Sequence, residues 1–341
     1  TLSSLYEGSG YFEELTLSSL SLDAIGDEAF SWCYYLEEIS LPDGLVSLGE
    51  EAFSYCSAMT SIHLPESLQT IGRGCFHHST SLSAVTVPDG IESVKEVFTE
   101  CAGLVEVILP DSVTDIECAF MGCESLIGIT VPKGVTVIGT DAFGECLSLE
   151  KVVLHEGIKT LADRSFSTCM SLRELSLPES LESIGNECFW SCTELRGIVF
   201  PSALKYIGND AFYNCMELSS IIIPSGVKVL GNNLFADCTS LEEVILPEGI
   251  ESIGNGTFGG CSILSSVTVP STVKNIGERA FSECDSLSRV TVKAIVPPIG
   301  HWAMFGEPEG CPIYVPSQSV EDYKAAEFWI DYALRIQAIP E

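Results

Sequence analysis

Fifteen cysteines are the residues of this 341-residue chain whose type and spacing most invite chemistry. Eleven of them, at 33, 56, 101, 123, 146, 169, 192, 215, 238, 261 and 284, each follow a phenylalanine by three residues, and Ser79 stands at that place once. A column of thiols could form disulfides. In a parallel in-register stack, however, each thiol has two equal neighbours about 4.8 Å away, which misses the Cβ separation near 3.8 Å that a disulfide prefers. Buried thiols behaving as small hydrophobes are therefore expected. Cys75 and Cys188 replace the alanine that often precedes the phenylalanine, so they too occupy places that want a small apolar group.

Metal binding could draw on Cys75, His77, His78 and His63, but no CxxC or HExxH spacing is present. Cys75 is expected to face inward while His77 and His78 lie on a turn, so exposed histidines are the better reading. The five histidines fall in different units or side by side, and the sequence has neither a nucleophile elbow nor a phosphate-cradling loop. Carboxylates are so plentiful that no pair of them is diagnostic, whereas an acid–base site needs a specific constellation. No catalytic residue, metal ligand, cofactor-binding residue or cofactor is expected, and the chain reads as non-enzymatic.

The charge balance narrows the partners. With 48 acidic and 16 basic side chains, the net charge is −32. Nucleic-acid binding rests on Lys and Arg displacing phosphate counterions, so nucleic acids and other negative surfaces are excluded. A hydrophobic content of 46% excludes a disordered acidic tail. No run approaches the roughly 18 to 20 apolar residues of a membrane span: Ile221-Ile222-Ile223 ends at a proline. The chain begins at Thr1, so a mature or truncated form is expected, with any signal or anchor outside it.

The elements that must position these residues come from a repeat. Phe recurs at 30, 53, 76, 98, 120, 143, 166, 189, 212, 235, 258 and 281, in steps of 23 or 22 residues. That period, with leucine or its equivalents at fixed offsets, is the mark of a leucine-rich repeat solenoid. The fold expected is a right-handed coil with a curved parallel β-sheet and short turns or helical segments on the other side. It has about 13 repeats of 22–23 residues and a C-terminal strand–helix cap. Residues 1–17 are read as a lead-in and first strand, 18–292 as the repeat array, and 293–341 as a degenerate last repeat and the cap.

Within a unit, Glu243-Val244-Ile245-Leu246 alternates as a strand does, with Val244 and Leu246 inward and Ile245 outward. Proline follows in ten units and ends the strand without stranding a donor. Asp43-Gly44, Asp89-Gly90 and Glu248-Gly249 then supply turn chemistry that tolerates φ > 0. A second apolar pair follows, such as Ile250 and Ile253; nine of twelve units place glycine directly after it, with Lys95, Glu117 and Ala162 as exceptions, and a φ > 0 corner is the expected reason. The phenylalanines are expected to stack into a spine, which is core and not a cofactor box. At the C-terminal end, Cys311–Val315 is expected to add a last strand, and Ser319 to N-cap a helix reaching about Ile336.

The unit LxxIxLPxxLxxIGxxAFxxC, with the ending IYVPSQSVEDYKAAEFWIDYALRIQAI from Ile313 to Ile339, resembles the BspA-like leucine-rich repeat proteins of oral and gut bacteria. The repeat also occurs in some protists, but this ending is similar to the cap of bacterial surface members. The resemblance covers nearly the whole chain. It implies a bacterial cell-surface or extracellular location, and adhesion to host matrix proteins or other cells through protein–protein interaction. The family has no catalytic motif to carry over.

Two surfaces are candidates for binding, and a third carries charge. The outward column of the sheet is His63, Thr86, Ile108, Thr130, Val153, Ser176, Val199, Ile222, Ile245, Thr268, Thr291 and Tyr314. These residues suit any strand, yet the apolar run Val199, Ile222 and Ile245 on an exposed face exceeds what solubility requires, and a protein partner is expected there. Trp32, Tyr55 and His78, each two after a phenylalanine, form an aromatic row that could receive a glycan. Packing, on N-terminal residues such as Tyr6 and Tyr11 or on a domain outside this chain, is the preferred reading. The carboxylates Asp43, Glu66, Asp89, Asp111, Glu179 and Glu248 line one edge, where a solvated face is favoured over bridging Ca²⁺. The alternatives to adhesion are a passive spacer displaying another domain and, behind it, carbohydrate recognition.

Overall fold

The computed structural model describes residues 13–306 and 311–340. The chain is a parallel-strand β-solenoid that falls into two compact units, Thr1–Leu172 and Arg173–Glu341.

In the N-terminal unit the three-residue strands Glu14–Thr16 and Glu38–Ser40 pair in parallel, as do Ala84–Thr86 with Glu106–Ile108 and Gly128–Thr130 with Lys151–Val153. Their central residues, such as Val85 and Ile129, are buried and their neighbours point outward, as the alternation requires. The C-terminal unit has the corresponding strands Ser220–Ile222, Glu243–Ile245, Ser266–Val269, Arg289–Val292, Ile313–Val315 and Ile336–Ala338. In nine of the repeat units the proline carbonyl accepts the N–H three residues on, as from Leu45 to Pro42 at 3.1 Å, so proline there opens a β-turn as well as ending the strand. Positive φ follows at Gly90 and Gly249 but not at Gly44.

A second row of two-residue parallel strands lies opposite, where only an apolar pair was expected. It holds Ala24–Ile25, Ser47–Leu48 and Thr70–Ile71 in the N-terminal unit, and Val229–Leu230, Ser252–Ile253 and Asn275–Ile276 in the C-terminal unit. No helix occurs among residues 13–306; turns fill the rest of each coil.

The repeated glycines have a different cause from the one expected. Gly49, Gly72, Gly208, Gly254 and Gly277 are not in the left-handed region. A Cβ on Gly49 would instead lie 2.4 Å from Asp27 N, and one on Gly72 2.3 Å from Gly49 C, so the backbone of the preceding coil occupies the space. Positive φ falls on either side of the phenylalanine, two residues before it, as at Glu28 (54°), and two after, as at Trp32 (65°). This alternation aims every second N–H along the coil axis: Glu28, Phe30 and Trp32 donate to the next coil's Glu50, Ala52 and Ser54 carbonyls at 2.8 Å. Ala29, Ser31 and Cys33 donate within their own turn. Left-handed backbone costs a non-glycine residue about 1–2 kcal/mol, comparable with the ~1 kcal/mol net of one hydrogen bond.

Lys95 and Glu117 do not replace the glycine; their coils omit it. Glu51 donates to Arg73 O and Glu96 to Glu117 O, which puts Glu117 in register with Arg73, the residue after Gly72. These are the two coils of 22 residues.

The phenylalanines form the core. Phe30 through Phe166 stack at 5.1–5.7 Å in the N-terminal unit. Phe189 through Phe305 stack at 5.0–5.6 Å in the C-terminal unit. The C-terminal cap differs from expectation. Its α-helix spans only Val320–Ala325, Ser319 makes no capping bond, and Ala326 turns extended (ψ 145°). The rest of the cap is spent on plugging the spine: Trp329 and Tyr332 meet Phe305 at 5.7 and 5.8 Å, and the chain returns as the strand Ile336–Ala338 beside Ile313–Val315. Rings that must cover an open core cross-section cannot all lie on one straight helix face.

Candidate functional site

The thiol column is chemically quiet and structurally occupied. All fifteen cysteines are free thiols. Nine column Sγ atoms, from Cys56 to Cys284, donate to the carbonyl of the preceding coil's phenylalanine, at 3.0 Å from Cys101 to Phe76, 3.3 Å from Cys238 to Phe212 and 3.2 Å from Cys284 to Phe258. Ser79 makes the same bond to Phe53 at 2.9 Å. The thiols are therefore second donors to carbonyls that already accept the N–H three residues on, as Phe212 O does from Cys215 at 3.3 Å, and not only small hydrophobes. Burial pushes their ionisation up, to about 12 at Cys101, Cys238 and Cys284, which removes the thiolate that nucleophilic chemistry would need.

Cys75 is buried, while His77 and His78 are half-buried on the turn and stack on each other at 4.3 Å. Burial, then the neighbouring His78, lowers the His77 pKa. His63 is exposed on the sheet. Among the described residues no three His, Cys, Asp or Glu side chains group as metal ligands.

The edge carboxylates are not a bare row of like charges. Asp111 accepts from the Lys133 N–H at 3.1 Å and its ammonium at 3.3 Å, which lowers the Asp111 pKa. Glu248 accepts both Ser271 N–H and Oγ–H, at 3.1 and 2.8 Å. Both Asp111 and Glu248 are thus turned to donors on the next coil.

The outward column points to solvent in both units. His63, Thr86, Ile108, Thr130 and Val153 are exposed in the N-terminal unit, with Thr86 opposite Ile108 and Thr130 opposite Val153. In the C-terminal unit Ser176, Val199, Ile222, Ile245 and Thr268 are exposed, whereas Thr291 and Tyr314 are half-buried and Arg289 lies over the Tyr314 ring at 4.6 Å. Val199 is 84% exposed, Ile222 64% and Ile245 45%, and Ile222 is paired in register with Ile245. The column continues at Thr16, Ser40 and Gln337, which the sequence reading left out. Leu15-Thr16-Leu17 shows the same alternation and could have signalled the first of these.

Trp32 and Tyr55 stack at 3.9 Å with planes 6° apart, and Tyr55 meets His78 at 4.6 Å. All three sit at left-handed positions. Tyr6 and Tyr11 lie outside the described residues. A second aromatic pair, Trp190 and Tyr213 at 6.1 Å, comes one residue after the phenylalanine and not two.

The sequence matches the model of the BspA type leucine rich repeat region in six copies, over residues 3–118, 117–242 and 230–318. No curated protein sequence matches it. The structure of a leucine-rich repeat protein from Bacteroides ovatus is 29% identical and superposes with a TM-score of 0.83, covering 96% of this chain and 84% of that one. Two further structures share the fold. A leucine rich cell surface protein from Faecalibacterium prausnitzii is 23% identical, with a TM-score of 0.52 over 83% of this chain and 82% of its own. A leucine-rich repeat protein from Eubacterium ventriosum is 21% identical, with a TM-score of 0.55 over 80% and 82%.

Proposed function

The chain belongs to the BspA-type leucine-rich repeat family, and from that premise we propose that it is a non-enzymatic bacterial surface or secreted protein that binds a protein partner through the outward strand column. The partner proposed is a host matrix protein or a protein on another cell. The observation that carries this reading is the run Val199, Ile222 and Ile245, exposed aliphatic side chains on a face whose neighbours Gly197 and Ser220 are too small to cover them. Apolar exposure of this kind has a cost in water that a passive spacer has no reason to carry. The scarcity of aromatics in the column argues against sugars there, since aromatic faces are the usual platform for them.

Binding of the purified chain to immobilised matrix proteins and mucin, in physiological salt with and without Ca²⁺, tests this. Ile222→Glu and Ile245→Glu are expected to weaken saturable binding at least tenfold while leaving the unfolding midpoint in place. Unchanged binding would remove the site, and no binding by the parent chain would put the spacer reading first. The Trp32–Tyr55–His78 row is read as packing, because its ring faces are spent on one another. Loss of binding to a glycan panel in a Trp32→Ala, Tyr55→Ala variant would reverse that assignment.

A further inference from the structure

Away from the strand column, the C-terminal unit carries a groove of about 740 Å³ between Lys228, Glu251 and Lys274 on one side and the segment Ala294–Ile299 on the other. That size falls within the roughly 300–1,000 Å³ of ligand sites. Three of its properties identify an occupant.

The first is apolar exposure held in a fixed shape. Val296 is 77% exposed and Ile299 67%, on either side of Pro297-Pro298. The cap anchors this segment from behind: Tyr323 Oη donates to Ala294 O and Trp329 Nε1 to Pro298 O, both at 2.8 Å. With φ locked at the two prolines, the aliphatic side chains cannot fold back into the core, and a ligand meets a surface already ordered. The second is a pair of open donors. The N–H groups of Ile295 and Val296 make no hydrogen bond among the described residues. A ligand with carbonyl oxygens along its length would satisfy them.

The third is charge. One residue per coil forms the row Glu182, Lys205, Lys228, Glu251, Lys274. Lys205 pairs with Glu182 at 2.6 Å and Lys274 with Glu251 at 2.7 Å. Lys228 has no ion pair among the described residues; its ammonium donates to Ser225 O at 3.1 Å and acts on Glu251 at longer range. Three lysines against two glutamates leave this row at +1 in a chain of net charge −32. At physiological salt, charges beyond about 8 Å are screened, so the groove itself sets Lys228 and Lys274 against Glu251 and the Glu248 carboxylate held on Ser271, and Lys228, which has no ion pair among the described residues, is where a ligand carboxylate docks.

We propose that this groove captures an extended aliphatic peptide segment carrying a carboxylate. Its apolar side chains cover Val296 and Ile299, its carbonyl oxygens accept from the Ile295 and Val296 N–H groups, and its carboxylate meets Lys228. A fatty acid would match the apolar surface and the lysine but leave both backbone donors unused.

A random peptide library displayed on phage, selected on the purified full chain and counter-selected on a Lys228→Glu, Val296→Asp variant, tests this directly. Both side chains are exposed, and an unchanged unfolding midpoint confirms that the variant folds. The expected outcome is enrichment of Ile, Leu and Val together with Asp or Glu. A synthetic copy of an enriched peptide should bind the parent at least tenfold more tightly than either single variant, and added salt should narrow the difference for Lys228→Glu. Enrichment of basic or neutral sequences, failure of any sequence to discriminate parent from variant, or displacement of the peptide by dodecanoate at equal concentration would each overturn the proposal, the last by assigning the groove to lipid.

Discussion

The two units close the same repeat in different ways. In the C-terminal unit, Phe189, Phe212, Phe235, Phe258 and Phe281 follow one another at 23 residues, and glycine–asparagine pairs recur at Gly185-Asn186, Gly208-Asn209, Gly231-Asn232 and Gly254-Asn255. The glycine lets adjacent backbones touch, and each Asn Oδ1 accepts the N–H one coil on, at 2.8–2.9 Å from Asn209 through Glu278. In the N-terminal unit, Phe76, Phe98 and Phe120 are 22 apart. The glycine is gone from those coils, and the second strand row shrinks to the single bridge Ser93 to Asp115. Ion pairs stand where the ladder would be: Arg73 with Glu96, and Lys95 with Glu117 at 2.7 Å. Yet the phenylalanine stack runs through the short coils undisturbed, and Cys101 and Cys123 keep their bonds to Phe76 O and Phe98 O at 3.0 and 3.1 Å. The inner columns tolerate a change in coil length that the outer hydrogen-bond ladder does not, because ring stacking needs only one contact per coil whereas a ladder needs matched backbone on both sides.

The largest effect is expected from alkali, and it should be common to both units. A thiol whose folded pKa is raised contributes stability that is complete below its unfolded value near 8.5 and is lost as pH climbs through the folded value. With Cys101 in one unit and Cys238 and Cys284 in the other pushed up to about 12, the urea midpoint should hold steady to about pH 8.5 and then fall towards pH 12. Replacing these three cysteines with serine, as at Ser79, should flatten that fall. A midpoint that holds to pH 11 would show that the thiols are not sealed.

Next in size, Phe212→Ala and Phe98→Ala should each cost about 3–5 kcal/mol in urea unfolding, both side chains being fully buried. A much smaller loss at Phe98 would mean that a short coil collapses into the cavity, which would break the equivalence of the two spines. Gly254→Ala should cost about 1–3 kcal/mol, since its Cβ would lie 2.8 Å from Asn232 N. Ala162, in a 23-residue coil of the N-terminal unit, marks a place where a methyl group already fits, and Ala162→Gly should change stability by less.

Cys238→Ala should cost about 1–2 kcal/mol by removing the thiol bond to the buried Phe212 carbonyl, which keeps the Cys215 N–H at 3.3 Å, together with the packing of the buried sulfur. Cys238→Ser should recover part of that loss, with the 2.9 Å bond of Ser79 as the precedent in the other unit. The smallest difference is in the ladder: Asn232→Ala should cost about 0.5–1.5 kcal/mol through the lost bond to Asn255 N. Raising salt should leave the Asn232 effect unchanged while weakening the exposed Lys95–Glu117 pair, since only the latter is screened. Equal salt dependence of the two would blur the contrast between the units.

Much of the candidate site was legible because it obeys local rules. Alternation in Glu243-Val244-Ile245 placed Ile245 outward, and the same rule placed Val199 and Ile222, since a strand has only two faces. The groove at Ala294–Ile299 was not legible. Its shape depends on Tyr323 and Trp329 reaching back some 30 residues to hold it, and its charge on five residues spaced a coil apart whose pairing only the fold reveals.

By itself the sequence determined the solenoid, the phenylalanine spine, the thiol column and the outward strand face, because each follows from a short period repeated many times. Tertiary structure alone decided that the glycines are there for backbone contact and not for φ, that Glu28 and Trp32 carry the left-handed turns, that the thiols serve as donors, and that the last helix stops at Ala325. These are properties of one coil pressed against the next, and the distance between residues 23 apart in sequence is set by packing and not by local preference.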